Sequence, residues 1–103
     1  MNTKVFKVFR EEEWNLFQKE GRFAGSAHDL RDGFIHLSYI DQVEGVISRY
    51  FKQDSPIYIA EFNAAEFAAN LKAEAAKSGE LFPHLYEVPL LTSQVKSHQV
   101  RGD

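Results

Sequence analysis

The chain of 103 residues contains no cysteine, which excludes disulfide bonds, thiolate zinc sites and cysteine nucleophiles. It has only three prolines and one tryptophan, and no hydrophobic run is as long as a membrane-spanning helix. Its N-terminal stretch lacks the apolar segment of a signal peptide. Neither Gly-x-Gly-x-x-Gly nor a Walker lysine motif is present, which argues against a glycine-rich phosphate loop. We therefore expect a soluble cytoplasmic protein with no membrane contact.

The composition is typical of a globular protein with an aromatic core. Hydrophobic residues make up 44% of the chain, charged residues 26% and aromatic residues 14%. A length of 103 residues suits one core, so we expect a single domain over residues 1–103. The formal net charge of −3 argues against broad nucleic-acid binding, which needs a basic surface. It is compatible with a small anionic ligand held by two or three basic groups.

Hydrophobic periodicity predicts an α+β domain. The predicted strands are 4–9, 34–38, 57–62, an extended stretch at 81–91, and 93–100; the predicted helices are 10–21, 39–53 and 64 to the low 70s, with a loop at 22–33. Ser38 and Asp41 have the spacing of a helix capping box. Pro83 and Pro89 place the extended stretch near a sheet edge or at a bulge. This order predicts a bent or split mixed sheet packed by about three helices.

Two short phrases repeat one pattern, in which Phe, any residue, His and Leu are followed by a hydroxyl side chain. They are "FIHLS" at 34–38 and "FPHLY" at 82–86. Side chains alternate along a strand, so Leu37 and Leu85 are expected in the core and the other side chains on the opposite face. That face is predicted to line a common small-molecule groove with Phe34, His36, Ser38, Phe82, His84 and Tyr86.

Three further polar residues complete the predicted ligand site. Glu74, expected at the end of the third helix, can pair with a sugar hydroxyl. Gln42 lies in the first turn of the long helix, whose positive end favours an anion or amide contact. Asp32 forms the turn before the first phrase. Structural alternatives stay open, because Ser38 can serve only as a helix cap, Glu74 can be a solvated carboxylate, and the histidines can be hydrogen-bonded within the fold.

No metal site is predicted. The residues that could supply nitrogen or oxygen ligands are His28, Asp29, Asp32, His36 and His84. None of them has the His-Glu-x-x-His spacing or a comparably compact one. A Ser-His-Asp triad is disfavoured as well, since Ser38 lacks a nucleophile elbow.

The phrase "DGFIHLS" with a Gln four positions on, followed by "GELFPHLY", resembles a small and mainly bacterial family, domain of unknown function 952. The resemblance extends from "VFKV" to "VPLL". The matching residues are Asp29, Asp32, Gly33, His36, Ser38, Gln42, Glu74, Gly79, Phe82, Pro83, His84 and Tyr86. The chain departs from the family's usual pattern with Tyr39 in place of Thr, Ala73 in place of Trp, Lys77 in place of Arg and Glu87 in place of Gly.

The resemblance implies a fold similar to the ADP-ribosyltransferases, in which NAD binds in a cleft between two small sheets. An early strand of that superfamily carries His-x-Ser/Thr, where the His holds ribose hydroxyls and the hydroxyl steadies the nicotinamide end; His36 and Ser38 fit this motif. The resemblance further implies Tyr50 or Tyr86 as the aromatic that stacks on nicotinamide, and Glu74 as the carboxylate at the reacting ribose.

The resemblance thus implies a nucleotide-binding groove in which His36, Glu74 and His84 are the candidate catalytic residues. The implied reactions are NAD-dependent ADP-ribosyl transfer or related phosphate processing, with NAD as the candidate cofactor. The second phrase is similar to the extra histidines of the RNA 2′-phosphotransferase branch, but that branch needs more arginines. The alternatives are a non-catalytic module that binds a small ligand or a protein partner through the same groove, and a purely structural role for both phrases.

Overall fold

The computed structural model describes residues 3–102, in which short strands alternate with three α-helices. The helices are α1 Glu11–Glu20, α2 Ala27–Asp32 and α3 Val43–Tyr50. The strands are β1 Lys4–Arg10, β2 Arg22–Phe23, β3 Ile35–His36, β4 Ile57–Asn63, β5 Leu71–Ala75, β6 Leu81–Leu85, β7 Leu90–Leu91 and β8 Val95–Arg101. The chain is therefore a small α+β domain, as predicted. No helix among these residues is long and apolar enough to cross a bilayer.

The strands form three small sheets, so the predicted split is present. Their orders are β1-β4-β8, β2-β7 and β3-β6-β5. Every pairing between these strands is antiparallel, so the prediction of a mixed sheet was wrong. The predicted strand at 57–62 is present as β4, which lies between β1 and β8, so its apolar sequence forms a central strand.

The sheet β1-β4-β8 is covered on both faces. One face packs on the main core of Val5, Phe9, Trp14, Phe17, Phe23, Ile35, Leu37, Ala60, Phe62, Phe67, Leu85 and Leu90. The other face packs beneath α3 in a smaller core of Phe6, Val8, Val43, Ile57 and Ile59. Burial of this apolar surface is the main favourable contribution to folding.

Helix α1 matches its sequence signals. Three glutamates occupy its first turn, and Gly21 ends it with a left-handed backbone, φ 75°. Trp14 and Phe17 are buried, as expected for residues three apart on one face. The Phe17 ring stacks on Phe9 with centroids 5.2 Å apart, which fixes α1 against β1.

The predicted loop at 22–33 and the predicted helix from 64 onward were both wrong. The first contains β2 and the six-residue α2, whose start is capped by Ser26. The second begins with a cap at Asn63, whose side chain accepts the Ala65 amide hydrogen. Only two 3-10 turns follow, and residues 71–75 then pair with β6 as β5. Strand pairing with a neighbouring hydrophobic segment overrides the helix propensity of the alanines.

The predicted helix at 39–53 is shorter than expected, and its start differs. A 3-10 turn at Ile40–Gln42 precedes α3, and Tyr39 donates its backbone N–H to the Gln42 side chain. The predicted Ser38–Asp41 capping box is therefore wrong. Tyr50, which the resemblance implied as a possible nicotinamide-stacking aromatic, is the last residue of α3 and is 51% exposed.

Strand β6 is the centre of its sheet, so the prediction of an edge position for its Pro83 was wrong. The Pro83 carbonyl accepts the Leu37 amide hydrogen. Because N–H and C=O of one strand residue point the same way, the missing donor of Pro83 faces the end of β3. The chain leaves this sheet there, and Ser38 makes two backbone hydrogen bonds to Phe6 of β1, at 2.8 and 2.9 Å.

Candidate functional site

The two histidine phrases meet as neighbouring antiparallel strands. His36 of β3 pairs directly with His84 of β6. Leu37 and Leu85 lie in the main core, as predicted. The opposite side of the sheet carries a set of aromatic and polar side chains that we call the histidine face: Phe34, His36, Lys72, Glu74, Phe82, His84 and Tyr86.

Phe34 occupies the centre of the histidine face. Its ring stacks on His84 with centroids 4.0 Å apart, and lies 4.5 Å from His36 and 5.3 Å from Tyr86. An aromatic ring therefore covers both imidazoles where the sequence predicted a groove between them. A cavity of about 250 Å³ adjoins this ring and is lined by Arg22, Ala24, Asp29, Leu30, Gly33, Phe34, Ile35, Leu85, Glu87, Val88 and Pro89.

Glu74 lies on β5 and not at a helix end, and it reaches His84 from the adjacent strand. Its Oε1 accepts hydrogen bonds from His84 Nδ1 at 2.8 Å and from the Tyr86 hydroxyl at 2.5 Å. These bonds hold the pKa of Glu74 below its ordinary value, and the bond from Tyr86 has the larger effect. The same bond raises the pKa of the Tyr86 hydroxyl. Glu74 is thereby kept as an ionised acceptor at neutral pH.

The bond from Nδ1 determines which nitrogen of His84 is available to a ligand. His84 is only 9% exposed. Among residues 3–102, every buried polar atom of a side chain has a hydrogen-bond partner. His84 Nε2 has no partner among these residues, so that atom reaches the surface. With the proton on Nδ1, Nε2 is a hydrogen-bond acceptor.

Asp29 anchors His36 from below the histidine face. This carboxylate is only 2% exposed and accepts hydrogen bonds from Lys7 Nζ at 2.9 Å, His36 Nδ1 at 2.7 Å and two backbone amides. Burial alone raises the pKa of Asp29, but the bond to His36 and the charge of Lys7 outweigh it and hold the pKa far below its usual range. Lys7 also donates to the His36 carbonyl.

Lys7 is a residue that sequence reasoning missed. It lies in the apolar strand "KVFKVF", where a lysine between valines and phenylalanines was available as a signal of a buried partner. Asp29 was identified only as a family match and as one of several possible metal ligands. The unpredicted helix α2 is what carries Asp29 beneath β3.

His28 and Asp32 join His36 at the edge of the face. Asp32 Oδ2 lies 3.1 Å from both His28 Nε2 and His36 Nε2. The three side chains present ligand atoms within 4.8 Å of one another, which is an arrangement able to hold a metal ion. The sequence predicted no metal site because none of the candidate ligand residues has the His-Glu-x-x-His spacing or a comparably compact one, whereas the structure brings three of them together through α2.

Two predicted ligand residues are committed to internal contacts. Gln42 is 7% exposed; its Nε2 donates to Glu80 and to the Leu81 carbonyl, and its Oε1 accepts the Tyr39 amide hydrogen. It therefore joins the start of α3 to the strand β6. Ser38 is 4% exposed, and its backbone bridges two sheets. Phe82 lies on the histidine face opposite Glu74, in the register predicted for the phrase.

The residues of the histidine face lie within a match to a known protein family. The family model described as "Protein of unknown function (DUF952)" matches residues 8–98. The chain belongs to this family. The DUF952 match runs from β1 into β8 and includes every residue of the histidine face, which confirms the family resemblance inferred from the sequence. The comparison with curated proteins found no match.

Solved structures of a protein from Caulobacter crescentus have a similar fold. The crystal structure of protein CC0527 from Caulobacter crescentus is 38% identical, with a TM-score of 0.89, and the match covers 95% of this chain and 85% of that one. The solution NMR structure of CC0527 gives a TM-score of 0.79 and covers 93% and 82% of the two chains. The DUF952 chain described here therefore shares its fold with CC0527 over nearly its full length.

Proposed function

We propose that the histidine face of this DUF952 protein binds a ribose nucleotide. The observation that carries the proposal is the cluster in which Glu74 accepts hydrogen bonds from His84 and Tyr86. It leaves His84 Nε2 and the second carboxylate oxygen of Glu74 as acceptors with no hydrogen-bond partner among residues 3–102. Neighbouring hydroxyl groups, as in ribose, are the natural donors for such a pair of acceptors.

The surroundings of this cluster suit the remaining parts of a nucleotide. Phe34 and Tyr86 supply partly exposed aromatic rings on which a base or nicotinamide can stack. Lys72 Nζ lies 5.4 Å above the Tyr86 ring and offers a positive charge to a phosphate. The adjoining cavity, with Arg22 in its lining, is smaller than most ligand pockets and has room for one part of the ligand.

The reaction that fits this site is NAD-dependent ADP-ribosyl transfer on an ADP-ribosyltransferase-like fold. Cleavage of the bond at the anomeric carbon builds positive charge on the sugar, which an adjacent ionised carboxylate stabilises. Glu74 would have this role, with His36 and His84 orienting the ribose. The phosphate-processing reaction of the RNA 2′-phosphotransferase branch would use the same two histidines.

A non-catalytic nucleotide-binding module is the second candidate. The observation that favours it is the burial of Ser38, because the hydroxyl of the His-x-Ser pair has to reach the nicotinamide end for transfer. In that case the face would retain its affinity for ribose hydroxyls without cleaving the ligand. Binding and cleavage therefore need separate measurements.

The binding test is an NMR titration that follows the imidazole C–H resonances with NAD, ADP-ribose and a 2′-phosphorylated dinucleotide. We expect saturable shifts of His84 and His36 with at least one of them, and loss of those shifts in Glu74→Gln. The matched control is Glu12→Gln, which removes an exposed carboxylate of α1, an element far from Glu74 in the sequence. If neither histidine shifts with any of the three ligands, nucleotide binding is excluded.

The cleavage test measures free nicotinamide after hours of incubation with NAD. Release by the wild type that is lost in Glu74→Gln, but kept in Glu12→Gln, supports the transfer reaction. The protein is identified as a binding module if it binds NAD but releases no nicotinamide, and if it releases no phosphate from the 2′-phosphorylated ligand.

A further inference from the structure

The cluster of His28, Asp32 and His36 has the geometry of a metal centre. His28 Nε2 and His36 Nε2 each lie 3.1 Å from Asp32 Oδ2. The two imidazole rings have centroids 4.4 Å apart. Zinc bonds of about 2.0–2.2 Å place tetrahedral ligands roughly 3.3 Å from one another. Both separations from Asp32 are therefore close to what one divalent ion requires, and all three ligand atoms lie within 4.8 Å of one another.

Local structure builds this cluster from a short sequence, His-x-x-x-Asp-x-x-x-His. His28 and Asp32 are four residues apart on α2 and so share one side of the helix. Gly33 ends the helix with a left-handed backbone, φ 85°, and the chain turns back into β3. That turn brings His36 against His28.

A second layer of hydrogen bonds orients the central ligand. His36 Nδ1 lies 2.7 Å from Asp29 Oδ1, and Asp29 is itself held by Lys7. Metal-bound histidines commonly donate their other ring N–H to a carboxylate, which fixes the ring and the tautomer. With the proton on Nδ1, His36 Nε2 carries a lone pair that can bind an ion, and this nitrogen lies 3.1 Å from Asp32 Oδ2.

We propose that His28, Asp32 and His36 bind one divalent transition-metal ion of the Zn²⁺ class, through His28 Nε2, Asp32 Oδ2 and His36 Nε2. Two imidazoles and one carboxylate favour Zn²⁺ and similar ions over Mg²⁺ or Ca²⁺, which prefer oxygen ligands. With three protein ligands, a tetrahedral ion keeps one position for water or an added ligand. The proposal does not depend on nucleotide binding, although the ion would lie beside the histidine face.

The metal-free alternative requires a different protonation of His36. If Asp32 simply accepts a hydrogen bond from each histidine, His36 has to donate from both ring nitrogens, to Asp29 and to Asp32. It is then a positively charged imidazolium. Bound metal requires a neutral His36 instead, so the two states are distinguishable by the ¹⁵N shifts of the ring.

The test is a titration of untagged, EDTA-treated protein with Zn²⁺ by calorimetry, and with Co²⁺ by visible absorption. We expect one equivalent of either ion to bind, with a metal-dependent ¹⁵N shift at Nε2 of His28 and His36. Loss of an oriented second-layer partner costs about 10–100-fold in metal affinity, so loss of a ligand in His28→Ala or Asp32→Ala should cost more than about 100-fold.

The matched control is His98→Ala, which removes a histidine of β8 that packs against Trp14; its affinity for Zn²⁺ should equal that of the wild type. The absence of saturable binding, or equal affinity in His28→Ala and His98→Ala, would overturn the proposal. Glu74→Gln should keep metal binding, and His28→Ala should keep any nucleotide-induced shift of His84. Failure of the metal site is thus separable from failure of the nucleotide site.

Discussion

His36 and His84 lie directly opposite each other on neighbouring strands, with ring centroids 5.6 Å apart, and each donates Nδ1 to its own carboxylate. The two carboxylates differ, since Asp29 is buried and neutralised by Lys7, whereas Glu74 is partly exposed on β5. The first arrangement fixes a ring rigidly within the fold. The second leaves a carboxylate that a ligand can contact.

The bond between Tyr86 and Glu74 should be visible in the titration of Tyr86. The pKa of this hydroxyl is raised because it donates to Glu74 and because its phenolate would lie beside the carboxylate. The stabilisation from this raised pKa is therefore fully present below pH 10.0, the ordinary tyrosine value, and is lost as the pH rises through the folded value. Glu74→Gln should lower the pKa of Tyr86 toward 10.0.

Absorbance near 295 nm, compared with Tyr86→Phe to isolate this residue, measures the change. Glu12→Gln on α1 is the control and should leave the Tyr86 titration unaltered. A Tyr86 midpoint that is the same in wild type and Glu74→Gln would contradict the hydrogen bond.

Removal of Lys7 should destabilise the protein strongly. Lys7→Met leaves the Asp29 carboxylate buried without its ion-pair partner, and removing one member of a buried pair costs about 3–5 kcal/mol. The comparison is Lys4→Met, which removes an exposed lysine 3.4 Å from Glu61 and should cost less than about 1 kcal/mol. Urea unfolding in metal-free buffer measures both free energies. Equal effects of the two substitutions would show that the Lys7–Asp29 pair does not stabilise the fold.

The sequence predicted those parts of the fold that depend on local periodicity. The helix around Trp14, the central strand β4 and the inward leucines of both histidine phrases follow from spacing alone. The segment 71–75 was missed because its strand exists only through pairing with β6, whereas its own alanine-rich sequence favours a helix. The same holds for Lys7 and Asp29, 22 positions apart, whose contact depends on the unpredicted α2.

The backbone at position 87 is one that favours glycine, which is the residue that the family resemblance led us to expect there. Glu87 has a left-handed backbone, φ 69°. A non-glycine residue is strained there, so Glu87→Gly should raise the free energy of unfolding by about 0.5–1 kcal/mol, after the greater flexibility of unfolded glycine is subtracted.

The matched reversal is Gly79→Ala, at φ 89° with no heavy atom within 4 Å of an added Cβ, so that only backbone strain changes. It should lower the free energy of unfolding by a similar amount in the same urea experiment. Stabilisation by Gly79→Ala, or loss of stability in Glu87→Gly, would show that side-chain contacts outweigh the backbone term at these turns.

Gln42 should prove to be a structural residue and not a ligand contact. Gln42→Leu keeps a similar volume but removes the partners of the Tyr39 amide and the Leu81 carbonyl, at a cost of about 1–3 kcal/mol for groups left unsatisfied. The Tyr39 amide should exchange its hydrogen faster, while the nucleotide-induced shift of His84 persists in the folded protein. Ser48→Ala, which removes an exposed side-chain bond within α3, should leave Tyr39 exchange unchanged. Normal Tyr39 exchange in Gln42→Leu, with loss of the His84 shift, would return Gln42 to the ligand site.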